Sequence, residues 1–131
     1  SIVKAETSKM EEAPTVAGLY LNRLDRGMRL QADPTLIHAL GDPTIRRVLN
    51  VHREIDSPYN TYVHKGLPPG PINFPEPAYL EAVLNAEEHD YIFMCAREDF
   101  SGYHAFARTN REHERNARRY RKALDRQGVY R

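Results

Sequence analysis

The sequence is poor in the residue types that cross-link a chain or bind soft metals. Its 131 residues include one cysteine and no tryptophan, so an internal disulfide and a cysteine-rich zinc site are both excluded. No apolar run is long enough to span a bilayer, and no segment resembles a signal peptide. The one thiol, Cys95, follows Met94 in an apolar run and is predicted to lie in the core.

An excess of one charge is also absent from the chain as a whole. Its 19 lysines and arginines face 18 acidic residues, and a net charge of +1 argues against a nucleic-acid partner. Segment 108–131 differs, because it holds nine basic residues against three acidic ones. Such a run is usually a solvated face. Attraction to anionic wall polymers or phospholipid headgroups is the alternative, and salt-sensitive nucleic-acid binding is the weakest one.

The composition is that of one ordinary globular domain, so we predict a single domain over residues 1–131. Residues 1–9 are predicted to be the end of a helix. Pro14 and Gly27 bound a second helix, because proline favours the first turn and glycine the left-handed cap. Its predicted apolar stripe is Val16, Leu19, Tyr20 and Leu24.

Local signals also predict the middle of the chain. Segment 28–32 alternates and is predicted to be extended. Asp33 is predicted to be the N-cap of a short helix over 35–40 that Gly41 closes. Segment 44–55 is compatible with either a helical turn or an extended exit.

The last third of the chain predicts a helix, a hairpin and a second helix. Pro77 opens a helix that ends near Asn85, and its stripe is Leu80, Val83 and Leu84. The apolar run 91–96 is predicted to be a buried strand that turns into a second strand over 103–107. A capping box at 109–112 opens a long helix to about Gln127. The predicted class is α+β, with helices packed on a small antiparallel sheet.

Segment 56–75 is rich in proline and glycine and is too long for an ordinary connection. Its aromatic and aliphatic side chains argue against a disordered linker. We predict an ordered wall that presents tyrosine, amide and hydroxyl groups to a polar ligand such as a sugar polymer. The candidate substrate-binding residues, within and outside this segment, are Gln31, Asp33, Tyr59, Asn60, Thr61, Tyr62, Asn73 and His104.

The sequence has no His-Glu-x-x-His pattern, no glycine-rich dinucleotide fingerprint and no phosphate loop. It therefore predicts neither a metal nor a cofactor. Carboxylates are the natural catalysts for glycosidic cleavage, which needs an acid to protonate the leaving oxygen. Glu6 lies in a mostly apolar turn, where partial burial is expected to raise its pKa toward that of a working acid.

Seven segments, in order, resemble the catalytic domain of the endolytic murein transglycosylases (the MltG/YceG family). They cover nearly the whole chain. They are SIVKAET at 1–7, VAGLYLNRL at 16–24, LQADPT at 30–35, SPYNTY at 57–62, GLPPGPI at 66–72, GYHAF at 102–106 and NARRY at 116–120.

The resemblance implies a lysozyme-like type of fold and a lyase that cleaves peptidoglycan between N-acetylmuramic acid and N-acetylglucosamine, leaving a 1,6-anhydromuramyl end. It places the family's catalytic glutamate on Glu6. It also implies an excised catalytic domain that normally follows an inner-membrane anchor and a LysM-like domain and faces the periplasm. Cell-wall synthases are expected partners at the level of the family. Lys4 departs from the pattern, because members often carry a second acid there.

Several assignments keep an alternative. Among the binding candidates Asn60 is favoured, because its amide suits an N-acetyl group or orients the acid. Asp33 has the structural reading of an N-cap, and His104 that of a half-buried, satisfied histidine. At the level of function, the alternatives are a non-catalytic glycan-binding module and a lysozyme-like hydrolase.

Overall fold

A computed structural model of the chain describes residues 1–42, 44–45 and 48–128. Within those residues it contains five α-helices, one 3₁₀ helix and a two-stranded antiparallel sheet, which confirms the predicted α+β class. The elements are α1 (Ile2–Glu6), α2 (Ala13–Asp25), α3 (Asp33–Leu40), the 3₁₀ helix Asn50–Glu54, α4 (Pro77–Leu84), β1 (Phe93–Ala96), β2 (His104–Ala107) and α5 (Asn110–Arg126).

Helix α2 is the centre of the core. Proline in its first turn and Gly27 at φ 66° bound it, as predicted. Its buried stripe packs with Val3 of α1, with Leu30 and Ala32, and with Ala82 of α4. Gly18 is required for this packing, because a Cβ at that position would lie 2.2 Å from the carbonyl oxygen of Glu87.

Helix α3 ends at Gly41 (φ 66°) as predicted, but its start differs from the prediction. Ala32 is the N-cap, and Asp33 is the first helical residue with no capping hydrogen bond from its side chain. The predicted N-cap role of Asp33 is therefore wrong. The predicted extended segment 28–32 forms no strand, and Gln31 within it adopts φ 49°.

The ambiguous segment 44–55 contains the 3₁₀ helix, followed by Ile55 in an extended conformation. The helical turn lies later than Ile45, Val48 and Leu49, which suggested it, and of the two residues that suggested an extended exit only Ile55 is extended. Pro43, Arg46 and Arg47 lie outside the described residues.

Helix α4 has the predicted bounds but not the predicted buried face. Leu80, Val83 and Leu84 are 54%, 40% and 83% exposed, whereas Ala82 is 5% exposed. The helix packs against α2 through this small residue, so the stripe of larger side chains points away from the core. The predicted buried stripe of α4 is therefore wrong. Apolar residues occur on both faces of this helix, so their spacing did not show which face is buried.

The sheet pairs Phe93 with Ala107 and Ala96 with His104, and α5 packs on it. Strand β1 starts two residues later than predicted, after buried Ile92. Cys95 is only partly buried, so its predicted place in the core is wrong.

Helix α5 begins as predicted, with the Thr109 hydroxyl accepting from the Glu112 amide at 3.2 Å. It is also the longest helix, at 17 residues. In the part of the chain that the structure describes, no helix is long and apolar enough to cross a membrane.

Candidate active site

Glu6 is the last residue of α1, a helix of five residues. A helix this short is not stable alone, so its position depends on its contacts. The predicted proline- and glycine-rich wall supplies them: the Ile72 amide donates to the Ser1 hydroxyl at 3.2 Å, and the Asn73 side-chain amide donates to the Ser1 carbonyl at 2.9 Å. The wall therefore positions the helix that carries the candidate acid.

Lys4 extends the same attachment. Its ammonium group donates to the Phe74 carbonyl at 2.8 Å and to the Glu76 carboxylate at 2.7 Å. Residues two apart lie on different faces of a helix, so Lys4 and Glu6 point in different directions. The residue that departs from the family pattern thus joins α1 to the wall.

The carboxyl of Glu6 lies in an environment that favours its protonated form. Burial, followed by the negative charge of Asp33, raises its pKa from 4.5 to about 8, while a hydrogen bond with the Tyr20 hydroxyl opposes the shift. The residue keeps some exposed surface, but burial of the carboxyl is the largest cause. At neutral pH Glu6 therefore holds a proton that it can donate.

Asp33 and Tyr62 form a second polar pair beside Glu6. The Tyr62 hydroxyl donates to the Asp33 carboxylate at 2.5 Å, and the Arg53 guanidinium lies 4.8 Å from the centre of the Tyr62 ring. Burial raises the pKa of Asp33, and the hydrogen bond from Tyr62 partly offsets it. The pKa of Tyr62 is also raised, by burial and then by Asp33. The tyrosine therefore keeps its proton and acts as a donor.

A cleft of about 330 Å³ opens between α1, α3 and the wall. Ala5, which precedes Glu6, and Pro34, which follows Asp33, both line it. Its other lining residues are Ile37, His38, Ile72 and Asn73. The cleft is thus lined by the sequence neighbours of both carboxyl-bearing residues.

One predicted binding residue lines this cleft, and a second packs against a residue that lines it. Asn73 lines it, and the buried side-chain oxygen of Asn73 has no hydrogen-bond partner. Tyr59 packs against His38 on α3, with 4.9 Å between ring centres. Gln31 is exposed, and its amide donates to the Thr61 carbonyl at 3.2 Å.

Asn60 and Thr61 are placed differently from the prediction. Asn60 is fully buried; its side-chain amide donates to the carbonyls of Arg53 and Ile55, and its oxygen accepts from the Tyr62 amide. Thr61 is 2% exposed, and its hydroxyl accepts from the Ala32 amide at 2.9 Å. Because their polar groups organise the loop, the predicted contacts of both residues with substrate are corrected to a structural role.

His104 is likewise turned away from the cleft. Its ring nitrogen Nδ1 lies 2.5 Å from Oε2 of Glu12, and its amide donates to Oε1 at 2.9 Å. The structural alternative for His104 is the one observed, and the predicted substrate contact is corrected accordingly.

Sequence reasoning missed Tyr20, which it assigned to the core only. Tyr20 is 8% exposed and packs in the core, but its hydroxyl reaches Glu6. The available signal was its chemistry, because a buried tyrosine needs a partner for its hydroxyl. Among residues 1–42, 44–45 and 48–128, no group of three or more His, Cys, Asp or Glu side chains is arranged to hold a metal ion.

A carboxyl held in its protonated form near a largely apolar cleft in an α+β domain is an arrangement suited to general acid chemistry. The YceG-like family model matches residues 1–119 of the chain. The chain therefore belongs to the YceG-like family.

Curated relatives carry the name endolytic murein transglycosylase. The one from Bacillus subtilis (strain 168) is 37% identical over 120 residues, which cover 92% of this chain and 32% of the relative. The one from Streptococcus pneumoniae serotype 2 (strain D39 / NCTC 7466) is 32% identical over 120 residues, covering 88% and 22%. This chain thus spans about a third or less of the length of these relatives.

A solved structure agrees with the assignment. The 2.6 Å crystal structure of a YceG-like protein from Listeria monocytogenes superposes with a TM-score of 0.81 at 37% sequence identity. The match covers 88% of this chain and 37% of that one.

Proposed function

We propose that this chain is the catalytic part of a peptidoglycan lytic transglycosylase in which Glu6 is the acid and base. The observation that carries the proposal is the Glu6 carboxyl, whose pKa is raised to about 8 and which lies on a helix that borders a cleft. The name of the relatives, endolytic murein transglycosylase, supports the substrate class.

In the first step, protonated Glu6 donates its proton to the glycosidic oxygen. The bond between that oxygen and the anomeric carbon of the muramic residue breaks, and the leaving sugar departs as an alcohol. Positive charge develops on the muramic ring, and Glu6 becomes a carboxylate. The negative charge of Asp33 acts on Glu6, and we propose that it also stabilises that positive charge.

In the second step, the Glu6 carboxylate accepts the proton of the muramic 6-hydroxyl. The hydroxyl oxygen bonds to the anomeric carbon of its own ring, which yields the 1,6-anhydro product and restores protonated Glu6. No water molecule is consumed. An intramolecular nucleophile has an effective concentration on the order of 10⁵ M or more when it is well oriented, which is why one carboxyl suffices.

The cleft is the proposed glycan subsite. Asn73 lines this cleft, and Tyr59, which packs against the lining residue His38, offers a ring face for a sugar. Tyr62 holds Asp33 in place, and the side chain of Gln31 is exposed.

The location and partners of the whole protein are a separate part of the proposal. We propose that it is anchored in the cytoplasmic membrane, faces the cell wall and works with cell-wall synthases.

A lysozyme-like hydrolase is the second candidate, and Asp33 is the observation that favours it. A second carboxylate near the acid can activate water or stabilise the cationic centre, as in ordinary glycosidases. The glycan-binding module without activity is the third.

The test is digestion of purified sacculi by the full chain, with products identified by mass spectrometry. The proposal expects muropeptides that are one water lighter than reducing-end products. Glu6→Gln is expected to lower their release by about 10³-fold, within the range for loss of a general acid. The matched control, Glu98→Gln at an exposed position, should release as much as wild type.

The other outcomes separate the alternatives. Reducing-end products only would identify a hydrolase. Binding to sacculi without release would identify a binding module, and full activity of Glu6→Gln would remove Glu6 from the mechanism.

A further inference from the structure

Thr7, the residue directly after Glu6, is deeply buried although it follows the end of a helix. It is 3% exposed, and its hydroxyl donates to Oε2 of Glu12 at 2.8 Å while accepting from the Lys9 amide at 3.0 Å. Its own amide donates to the Val3 carbonyl at 3.1 Å and ends α1. Both the side chain and the backbone of Thr7 are therefore fixed.

Glu12 joins this turn to the sheet. It is 7% exposed, and both of its carboxylate oxygens accept from His104, one from the amide and one from the ring. His104 is the first residue of β2 and lies 92 positions away in the sequence. Glu12 is also the N-cap residue of α2, so the network links α1, α2 and β2.

Helix α4 reaches the same turn from another direction. The Tyr79 hydroxyl donates to the Thr7 carbonyl at 3.0 Å. Every polar group of Thr7 thus has a partner, and the partners come from three other parts of the fold.

We propose that Thr7, Glu12 and His104 form a positioning network that fixes the end of α1 and so holds the Glu6 carboxyl in its working place. None of the three touches the cleft; they are positioning residues. The proposal rests on the function proposed for Glu6 and extends it to residues outside the cleft.

Stability alone does not account for this network. Apolar residues of similar volume often stabilise a core as well as a buried charged group does, whereas a hydrogen-bonded network fixes one geometry. A catalytic group needs such a fixed geometry, because a displacement of about 1 Å can lower the rate by about 10²-fold. Because α1 is too short to hold itself, the geometry has to come from outside the helix.

The main experiment compares two substitutions of Thr7 that differ in one hydroxyl. Thr7→Val keeps the shape and removes the donor to Glu12; Thr7→Ser keeps the hydroxyl and removes a methyl group. We expect Thr7→Val to lower kcat by about 10- to 100-fold with KM within twofold of wild type, and Thr7→Ser to stay within about threefold. Glu12→Gln, which retains size and one acceptor oxygen, is expected to fall between them and serves if Thr7→Val does not fold.

Thr109→Val is the control for a purely structural loss. It removes the N-cap hydroxyl of α5, which contacts neither the cleft nor α1. We expect it to lower the melting temperature by a few degrees while leaving kcat within twofold. An equal loss of kcat in Thr109→Val and Thr7→Val would overturn the positioning role.

A readout without turnover separates this inference from the proposed function. The carboxyl of Glu6 is titrated by ¹³C NMR in wild type and in Thr7→Val. If Thr7 holds Glu6 in place, the pKa falls toward its ordinary value in the variant, because the carboxyl leaves its buried site. That result with an inactive wild type would sink the proposed function and leave the positioning network standing. An unchanged pKa together with an unchanged kcat would overturn the network.

Discussion

Two glutamates only six residues apart in the sequence meet opposite conditions in the fold. Glu12 is surrounded by donors: the amide and ring of His104 and the hydroxyl of Thr7. Glu6 has the hydroxyl of Tyr20 as its donor and the negative charge of Asp33 nearby. The comparison shows that burial alone does not define a catalytic carboxyl. A buried carboxylate with saturated acceptors is structural, and a buried one with a repelling neighbour is ready to carry a proton.

The largest expected effect on stability comes from removing Glu12, the glutamate whose carboxylate oxygens accept three hydrogen bonds. Glu12→Ala leaves the His104 side chain and the Thr7 hydroxyl without their acceptor, and we expect it to lower the free energy of unfolding by about 3 kcal/mol or more. Urea denaturation at pH 7 measures it. Glu11→Ala is the matched control, because Glu11 is exposed and makes one long contact with Tyr103; it should lose less than about 1 kcal/mol. Equal losses would erase the distinction.

The pH dependence of the free energy of unfolding should reveal the raised pKa of Glu6. The pKa of Glu6 is about 8 in the fold and about 4.5 when unfolded, so the folded state binds more protons than the unfolded state between these values. Stability is therefore greatest below pH 4.5 with respect to this group and declines as the pH rises through 8. At about 1.4 kcal/mol per pKa unit, the decline amounts to a few kcal/mol.

Denaturation at several pH values in wild type and in Glu6→Gln isolates this contribution. The glutamine variant should lose the decline and become more stable than wild type at pH 8.5. A parallel decline in both proteins would show that Glu6 is not the group responsible.

A smaller effect is expected from the hydrogen bond that Tyr20 makes with Glu6. Tyr20→Phe removes an interaction that lowers the pKa of Glu6. The pKa of Glu6 should therefore rise further, and the alkaline limb of the kcat/KM profile should shift to higher pH. The carboxylate that forms in the first step is then less stabilised, and we expect about a tenfold loss of kcat. Tyr120→Phe in α5 is the control and should leave both unchanged. A downward shift of the limb would reverse the assigned role.

The smallest effect is expected at Lys4. Lys4→Met removes the ion pair with Glu76, both partly exposed, and should lower the free energy of unfolding by less than about 1 kcal/mol with activity within twofold. Glu76→Gln should give a similarly small loss. A fall in kcat of more than tenfold in Lys4→Met alone would show that this single attachment is needed to position Glu6.

The parts of the fold that sequence reasoning reached are those that depend on local chemistry. Helices α2 and α5 are bounded by proline, glycine and a threonine cap, each of which acts within a few residues. The start of α3 was misplaced because Asp33 has a long-range partner, the hydroxyl of Tyr62, that competes with capping. The face of α4 was misassigned because the choice depends on the shape of α2.

The candidate site divides in the same way. Glu6 is indicated as the candidate acid by the family motif and by its apolar surroundings, and Asp33 and Tyr62 are indicated by polar groups concentrated in two motifs. Asn60 and His104 carry the same chemistry as true binding groups, yet the fold turns them toward backbone carbonyls and toward Glu12. Which partner a polar side chain takes is decided by contacts between distant segments, and a single sequence does not contain them.

The attachment of α1 to the wall also has a consequence for the time at which the acid is assembled. The hydrogen bonds that hold α1 join residues 70 to 72 positions apart, between Ser1 or Lys4 and the segment from Ile72 to Glu76. Synthesis proceeds from the N-terminus, so α1 is made long before its partners exist. In a nascent chain, Glu6 is therefore expected to lack its folded environment until the segment from Ile72 to Glu76 has emerged from the ribosome.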